Sequence, residues 1–175
     1  MLRTAHTADL EPATLRAIHA LLTGVFEGDF GEHDWEHSLG GMHALAYDGD
    51  SLVGHASVVQ RRLVHGGRAL RCGYVEGVGV RADRRRRGVA GELMAELERV
   101  IRGAYDVGAL GSTDDAVPLY EGRGWLCWRG PLSALTPRGV EPTPEEQGGV
   151  YVLPLDAEVD LDGELTCDWR EGDVW

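Results

Sequence analysis

The sequence predicts an α/β fold with a mixed, mostly antiparallel sheet flanked by helices, and three observations predict it. Apolar runs at residues 42–47, 52–63 and 68–80 are separated by the short turns Asp48-Gly49 and His65-Gly66-Gly67, as in an antiparallel meander. After the third run, Leu93, Leu97, Val100 and Ile101 recur at helical spacing. A further apolar run at 107–110 follows that helix, so it is expected to lie parallel to the strand before it.

The remaining elements follow in chain order. Asp9-Leu10-Glu11-Pro12 opens a helix, with Asp9 or a neighbour as its cap and Pro12 in its first turn. Leu15, Ile18, Leu22 and Phe26 form its apolar stripe, and residues 28–31 end it. A short helical piece at 34–39 is stopped by Gly40-Gly41. Residues 117–121 read as a brief helix and 125–128 as extended chain. Residues 136–149, rich in Pro, Gly and Glu, read as a surface loop, and 150–155 as a strand. The acidic tail 156–175 has no clear period, yet it holds Leu161, Leu165, Trp169, Val174 and Trp175. A disordered tail rarely keeps so many large apolar groups, so it is expected to pack on the body.

A chain of 175 residues with 43% hydrophobic content can bury a proper core, and a single domain covering 1–175 is expected. No stretch is apolar and long enough to span a bilayer, and the N-terminus lacks a signal-peptide core. The three cysteines, Cys72, Cys127 and Cys167, are widely separated and read as reduced thiols of a cytoplasmic protein. The net charge of −12 argues against nucleic acid as a partner. It also makes the five arginines between Arg81 and Arg87 conspicuous, and the acidic tail suggests a cationic ligand on another side.

Two segments carry chemistry. Arg85-Arg86-Arg87-Gly88-Val89-Ala90 follows an apolar strand and opens a helix. Small residues at Gly88 and Ala90 let backbone N–H groups approach a pyrophosphate, where the helix dipole favours an anion. A solvated basic turn is the plainer alternative. In Leu119-Tyr120-Glu121-Gly122-Arg123-Gly124-Trp125, the Tyr120 hydroxyl could donate a proton to a leaving group. Taken alone, a packed aromatic is the simpler reading. Glu76 is an ionisable residue inside a Gly-rich apolar strand, a placement that needs a reason.

The two segments, in this order and at this separation, resemble the GNAT superfamily of N-acetyltransferases over most of residues 1–155. More specifically, the chain is similar to the aminoglycoside 2′-N-acetyltransferases of actinobacteria. The matching strings include His6-Thr-Ala-Asp-Leu, Gly28-Asp29-Phe30, Leu39-Gly-Gly-Met-His-Ala-Leu and Leu70-Arg-Cys-Gly-Tyr-Val-Glu-Gly-Val. Further on, Cys167-Asp-Trp-Arg and the end Gly172-Asp-Val-Trp also match.

The resemblance implies a GNAT fold whose strands near 68–80 and 107–110 splay to admit acetyl-coenzyme A, with no metal. It implies that amides of Val78, Gly79 and Val80 hold the pantetheine arm and polarise the thioester carbonyl. Those of Arg85, Arg86, Arg87, Gly88, Val89, Ala90 and Gly91 would hold the pyrophosphate. Glu76 would act through water as base and Tyr120 as the acid for the thiolate. Asp29, Glu76, Gly77, Asp173 and the Trp175 carboxylate would contact the aminoglycoside. Gly111 and Glu146 stand where the family has Ser and Asp at substrate-contacting positions, and Ser112 could supply the hydroxyl that Gly111 lacks. Relatives are commonly homodimers.

The chemistry agrees with these roles. An amine is largely protonated near neutral pH and must lose a proton before it attacks a thioester, and a carboxylate reached through one water can take it. Acidic groups suit a polycationic aminosugar because each accepts charge-assisted hydrogen bonds. Two other readings stay open at this point. One is a GNAT enzyme acting on another cationic amine, such as a cell-wall amino sugar, a polyamine or a protein N-terminus. The other is a non-catalytic acyl-coenzyme A-binding module, against which Glu76 and Tyr120 together argue. His33-Asp34-Trp35-Glu36-His37 fits the inverted zinc-protease pattern, but its helix is too short for that context.

Overall fold

The computed structural model describes residues 1–155 and 157–175. The first residue of the tail, Asp156, lies outside the described residues. The chain divides into two compact units, Met1–Val59 with Val75–Val100, and Gln60–Tyr74 with Ile101–Trp175.

In the first unit, β1 (Leu2–His6), β2 (Met42–Asp48) and the first part of β3 (Ser51–His65) pair antiparallel in that order. Helix α1 (Pro12–Val25) turns Ile18 and Leu22 inward, where they join Ala5, Leu10 and Leu45 in one apolar cluster. Phe26, Phe30 and Trp35 pack on it from the end of α1, the following loop and α2 (Glu32–His37). The unit also holds the second half of β4 (Arg68–Val80) and most of α3 (Val89–Ala104). Leu93, Met94 and Leu97 of α3 are fully buried. Gly54 lets α3 come close to β3, since a Cβ there would lie 3.0 Å from Val89 Cγ1 and 3.1 Å from Leu93 Cδ1.

The second unit is built on strand order β6-β9-β5-β4-β3-β10-β7-β8. Here β5 (Val107–Gly111) runs parallel to β4, with Cys72 opposite Val107 and Tyr74 opposite Ala109. That is the orientation a crossover helix demands. Antiparallel to β5 lies β9 (Val150–Pro154), which also pairs with the two-residue β6 (Leu126–Cys127). On the other side, β10 (Leu165–Asp168) is antiparallel to β3 and parallel to β7 (Leu132–Thr136), which forms a hairpin with β8 (Gly139–Pro142). Trp125 and Trp128 are each 1% exposed and form the largest part of this core. The Trp128 indole N–H donates to Gly163 O at 3.1 Å, while Arg129 and Gly130 N–H groups donate to Leu161 O. Leu165, Cys167 and Trp175 are buried, whereas Trp169 is exposed.

Three expectations change. Asp9 does not cap α1, because it closes a 3-10 turn at Thr7–Asp9 and the helix begins at Pro12 behind Glu11, with no side-chain cap bond. The loop expected at 136–149 contains β8, whose Pro142 ends an edge strand, where a missing N–H is tolerated. The extended chain expected at 125–128 contracts to β6, since Trp125 is committed to the helix end through its N–H to Tyr120 O.

His43 and His55 lie fully buried in the first unit. Burial lowers His43 to a pKa of about 4, with a smaller effect from His6. Burial lowers His55 to about 3, with the neighbouring His43 adding to it and the Gly77 carbonyl opposing. Both therefore bind a proton more readily in the unfolded chain, whose histidines titrate near 6.5. Stability held above that pH is lost as pH falls through it toward the folded values. The urea midpoint is thus expected to fall between about pH 7 and about pH 4.5, above the range in which the chain's ion-paired aspartates take up protons. An unchanged midpoint would show that the two imidazoles are not held neutral.

Candidate active site

The arginine turn connects β4 to α3. Arg81 pairs with Asp83 at 2.6 Å, and Arg84 pairs with Asp83 at 2.8 Å and with Asp48 through Nε at 2.9 Å. Arg85 donates to the carbonyls of Val80 (3.2 Å) and Val25 (3.4 Å). Arg86 and Arg87 are exposed and take part in none of these pairs among the described residues. Gly88 takes φ +83°, and its carbonyl accepts the first helical bond, from Glu92 N–H. The first-turn N–H groups of α3, from Val89 onward, have no partner within their own helix. Arg86 also has a positive φ, 57°, so the turn holds a strained conformation that a side chain rarely adopts. A cradle of N–H groups at a helix start, with two exposed guanidinium groups, fits a pyrophosphate.

Glu76 is half-buried near the end of β4, among residues that are otherwise apolar or glycine. Gly77 follows with φ +55°, and Val78, Gly79 and Val80 complete the strand. Ser57 Oγ donates to Glu76 O at 3.4 Å, and His55 Nδ1 contacts Gly77 O at 2.7 Å. Asp29 is exposed in the loop between α1 and α2, its N–H bonded to Phe26 O.

In the second unit, Tyr120 sits on α4 (Val117–Glu121), 4% exposed, with its ring edge-on to Trp125 at 6.2 Å. Burial pushes its phenol up to about 12, so it stays protonated at any working pH. The acidic positions Glu146 and Asp173 belong to the same unit and act on one another. Burial, Asp173 and Glu145 together raise the Glu146 pKa, against the pull of Arg170. Trp175 N–H donates to Asp173 Oδ1 at 3.2 Å, and its indole N–H donates to Thr143 Oγ1 at 2.9 Å. A Cβ placed on Gly111 would lie 3.8 Å from Trp175 C and from the Tyr74 hydroxyl, so these three adjoin. The Ser112 hydroxyl donates to Thr113 O at 2.9 Å.

Arg170 was not foreseen. It donates to Asp173 O at 2.7 Å and Trp175 O at 2.9 Å, and its guanidinium lies 5.3 Å from the Tyr74 ring centre. Arg61 lies 4.7 Å from the same ring and pairs with Asp168 at 2.8 Å. The one signal for Arg170 was its place in the string Cys167-Asp-Trp-Arg. His33 and His37 have ring centres 6.5 Å apart, and no group of three metal-binding side chains occurs among the described residues.

Residues 7–127 match the family model for an acetyltransferase (GNAT) domain. The chain belongs to the GNAT superfamily and is an acetyl-coenzyme A-dependent N-acetyltransferase. It is 50% identical over 177 residues to an aminoglycoside 2′-N-acetyltransferase of Mycolicibacterium fortuitum, a match that covers 99% of this chain and 91% of that one. Within the superfamily it is thereby a member of that protein's family.

Solved structures carry the same fold. Escherichia coli ElaA superposes with TM-score 0.61 at 18% identity, covering 87% of this chain and 97% of that one. Eis1 of Mycobacterium abscessus superposes with TM-score 0.62 at 19% identity over 76% of this chain, which corresponds to 33% of that larger protein. The GNAT fold expected from the sequence, a mixed sheet with flanking helices, is the observed one.

Proposed function

We propose that this protein moves the acetyl group of acetyl-coenzyme A to the 2′-amine of an aminoglycoside, the modification that would confer antibiotic resistance. The full-length similarity to the M. fortuitum enzyme carries the reading. The acidic cluster of Glu146 and Asp173 supports it, since a carboxyl group made reluctant to ionise by burial and by its acidic neighbours is relieved by a cation.

Arg86, Arg87 and the backbone of Arg85, Gly88, Val89, Ala90 and Gly91 would hold the coenzyme pyrophosphate. Val78, Gly79 and Val80 would hold the pantetheine arm, with the Val78 N–H at the thioester oxygen. The coenzyme supplies an activated acetyl group. Asp29, Glu76, Gly77, Gly111, Glu146, Asp173 and Trp175 would contact the aminosugar. Glu76, through one water, takes the amine proton. Once the ammonium has lost a proton to solvent, the uncharged amine nitrogen would bond to the carbonyl carbon and give its second proton through the water to Glu76, while the carbon–sulfur bond would break and Tyr120 would protonate the sulfur, regaining that proton from solvent. The whole chain would work as one domain, as a homodimer, in the cytoplasm.

The test is acetyl transfer to gentamicin or tobramycin, which carry a 2′-amine, with the 2′-hydroxy compound kanamycin A as control. Transfer to the first two alone is expected, and equal transfer to kanamycin A or none at all overturns the reading. Tyr120→Phe should lower turnover while leaving coenzyme binding unchanged, measured by thiol release and calorimetry. Gly111→Ser should lower KM for the aminoglycoside several-fold with kcat little changed, because ordinary contact distances leave room for the new side chain.

A further inference from the structure

A chain of side chains crosses the first unit and ends on the carbonyl that follows Glu76. Gly40 N–H donates to Thr7 Oγ1 at 2.9 Å, and that hydroxyl is 2.7 Å from His43 Nε2. His43 Nδ1 is 2.8 Å from His55 Nε2, and His55 Nδ1 is 2.7 Å from Gly77 O. Both rings are inaccessible to solvent. The far end fixes every proton. A carbonyl can only accept, so His55 carries its hydrogen on Nδ1. With both rings neutral, His55 Nε2 then accepts from His43 Nδ1–H, and His43 Nε2 at 2.7 Å is the closer of the two acceptors of the Thr7 hydroxyl, the other being Gly41 O at 3.3 Å. Each ring nitrogen is satisfied with both imidazoles neutral. The titratable groups that act on the pair are His6, on His43, and His43, on His55.

We propose that His55, held by His43 and Thr7, is a positioning residue that aims the Glu76 carboxylate at the amine. The inference rests on the role given to Glu76 above. Three features of β4 support it. Gly77 takes φ +55°, so the strand kinks immediately after Glu76. The carbonyls of Glu76 and Gly77 both face side-chain donors on β3, from Ser57 and His55. The Gly77 Cα is enclosed, since a Cβ there would lie 2.9 Å from Ser38 Oγ, 3.2 Å from Leu22 Cδ1 and 3.4 Å from His55 Cε1. The kink is therefore set from outside the strand, and it sets the direction in which Glu76 leaves the backbone.

The neutrality of the relay matters to the chemistry. An ammonium or guanidinium in the place of His55 would hold the same carbonyl, but it would also lower the basicity of the carboxylate one residue away. A neutral N–H donor, backed by a second neutral ring, positions the base and leaves it basic.

Two measurements on the full-length protein test this. Nitrogen-15 imidazole spectra at about pH 5 are expected to show His43 and His55 neutral, each with its hydrogen on Nδ1, where a free histidine is mostly charged. Either ring protonated, or carrying its hydrogen on Nε2, overturns the relay. In steady-state kinetics with a 2′-amino aminoglycoside, His55→Leu should lower kcat about 10- to 100-fold and move the acid limb of the pH profile, with KM for acetyl-coenzyme A unchanged. His55→Asn, whose amide can donate from the Nδ1 position, should recover most of that loss. Should His55→Leu fail to fold, His55→Asn and the spectra decide. Wild-type kcat and pH profile in a folded His55→Leu, or no recovery in a folded His55→Asn, overturns the proposal. Failure of the wild-type enzyme to acetylate any 2′-amine would instead sink the functional reading and leave the tautomers unaffected.

Discussion

Glu76→Gln should lower kcat about 10²- to 10⁴-fold while acetyl-coenzyme A binds as before. The aminosugar nitrogen is a poor nucleophile while protonated, and it gains a positive charge as it attacks. A base must remove a proton before or during bond formation. Glutamine keeps the length of the side chain and can still hold a water, but it cannot accept a proton, so the substitution isolates basicity from positioning. Glu76 is half-buried on the strand whose following residues are assigned to the thioester, and the kink at Gly77 separates the two roles within one turn of backbone. Turnover followed by thiol release, with coenzyme affinity from calorimetry, reads the two separately. A variant with wild-type turnover would remove Glu76 from the mechanism. Weakened coenzyme binding with unchanged kcat would move it to the coenzyme site.

The second large effect concerns stability. Trp128→Ala is expected to cost about 3–5 kcal/mol. Trp128 is 1% exposed, and its ring meets His65 edge-on at 5.1 Å between centres. Its indole N–H donates to Gly163 O, beside the point where Arg129 and Gly130 donate to Leu161 O. Truncation leaves both a cavity and a carbonyl without its donor, so the loss exceeds the transfer term alone. Trp128→Phe refills most of the volume without the N–H, and its cost should fall well below that of alanine. Urea unfolding of the three proteins separates the terms, and equal midpoints for Ala and wild type would show that the Trp128 contact does not hold the segment 161–163.

What could be read in advance followed from locality. The β4–α3 segment was legible because its strand, glycine turn and helix are contiguous, and each leaves its own period. The meander rested on Asp48-Gly49 and on Gly66-Gly67, turns that leave few alternatives. β10 was not legible, for its four residues lie in an acidic tail and pair with chain about a hundred positions away. Only Leu165 and Cys167 face inward, too few to mark a strand. β8 was hidden by Gly139 and Pro142, which read as loop everywhere except at a sheet edge.

On β4, the placement of Glu76 was legible: a carboxylate among apolar residues and glycines, half-buried in the structure. His43 and His55 were not, because a lone histidine in a strand gives no sign of its partner when that partner is twelve residues away. Arg170 was visible as part of a matching string, but its task, holding the carbonyls of Asp173 and Trp175, depends on the fold of the last six residues.

The arginine turn has a consequence for how this lineage can drift. Arg81 and Arg84 are occupied by Asp83 and Asp48, and Arg85 by two carbonyls of its own unit. In the proposed site, the turn would offer a ligand mainly its backbone. A descendant could exchange Arg81 and Arg84 together with their shared aspartates, Asp83 and Asp48, for neutral residues without removing a backbone N–H. Gly88 has no such freedom, because at φ +83° a side chain is strained. The backbone thus fixes the glycine and the helix start behind it more firmly than it fixes the run of arginines.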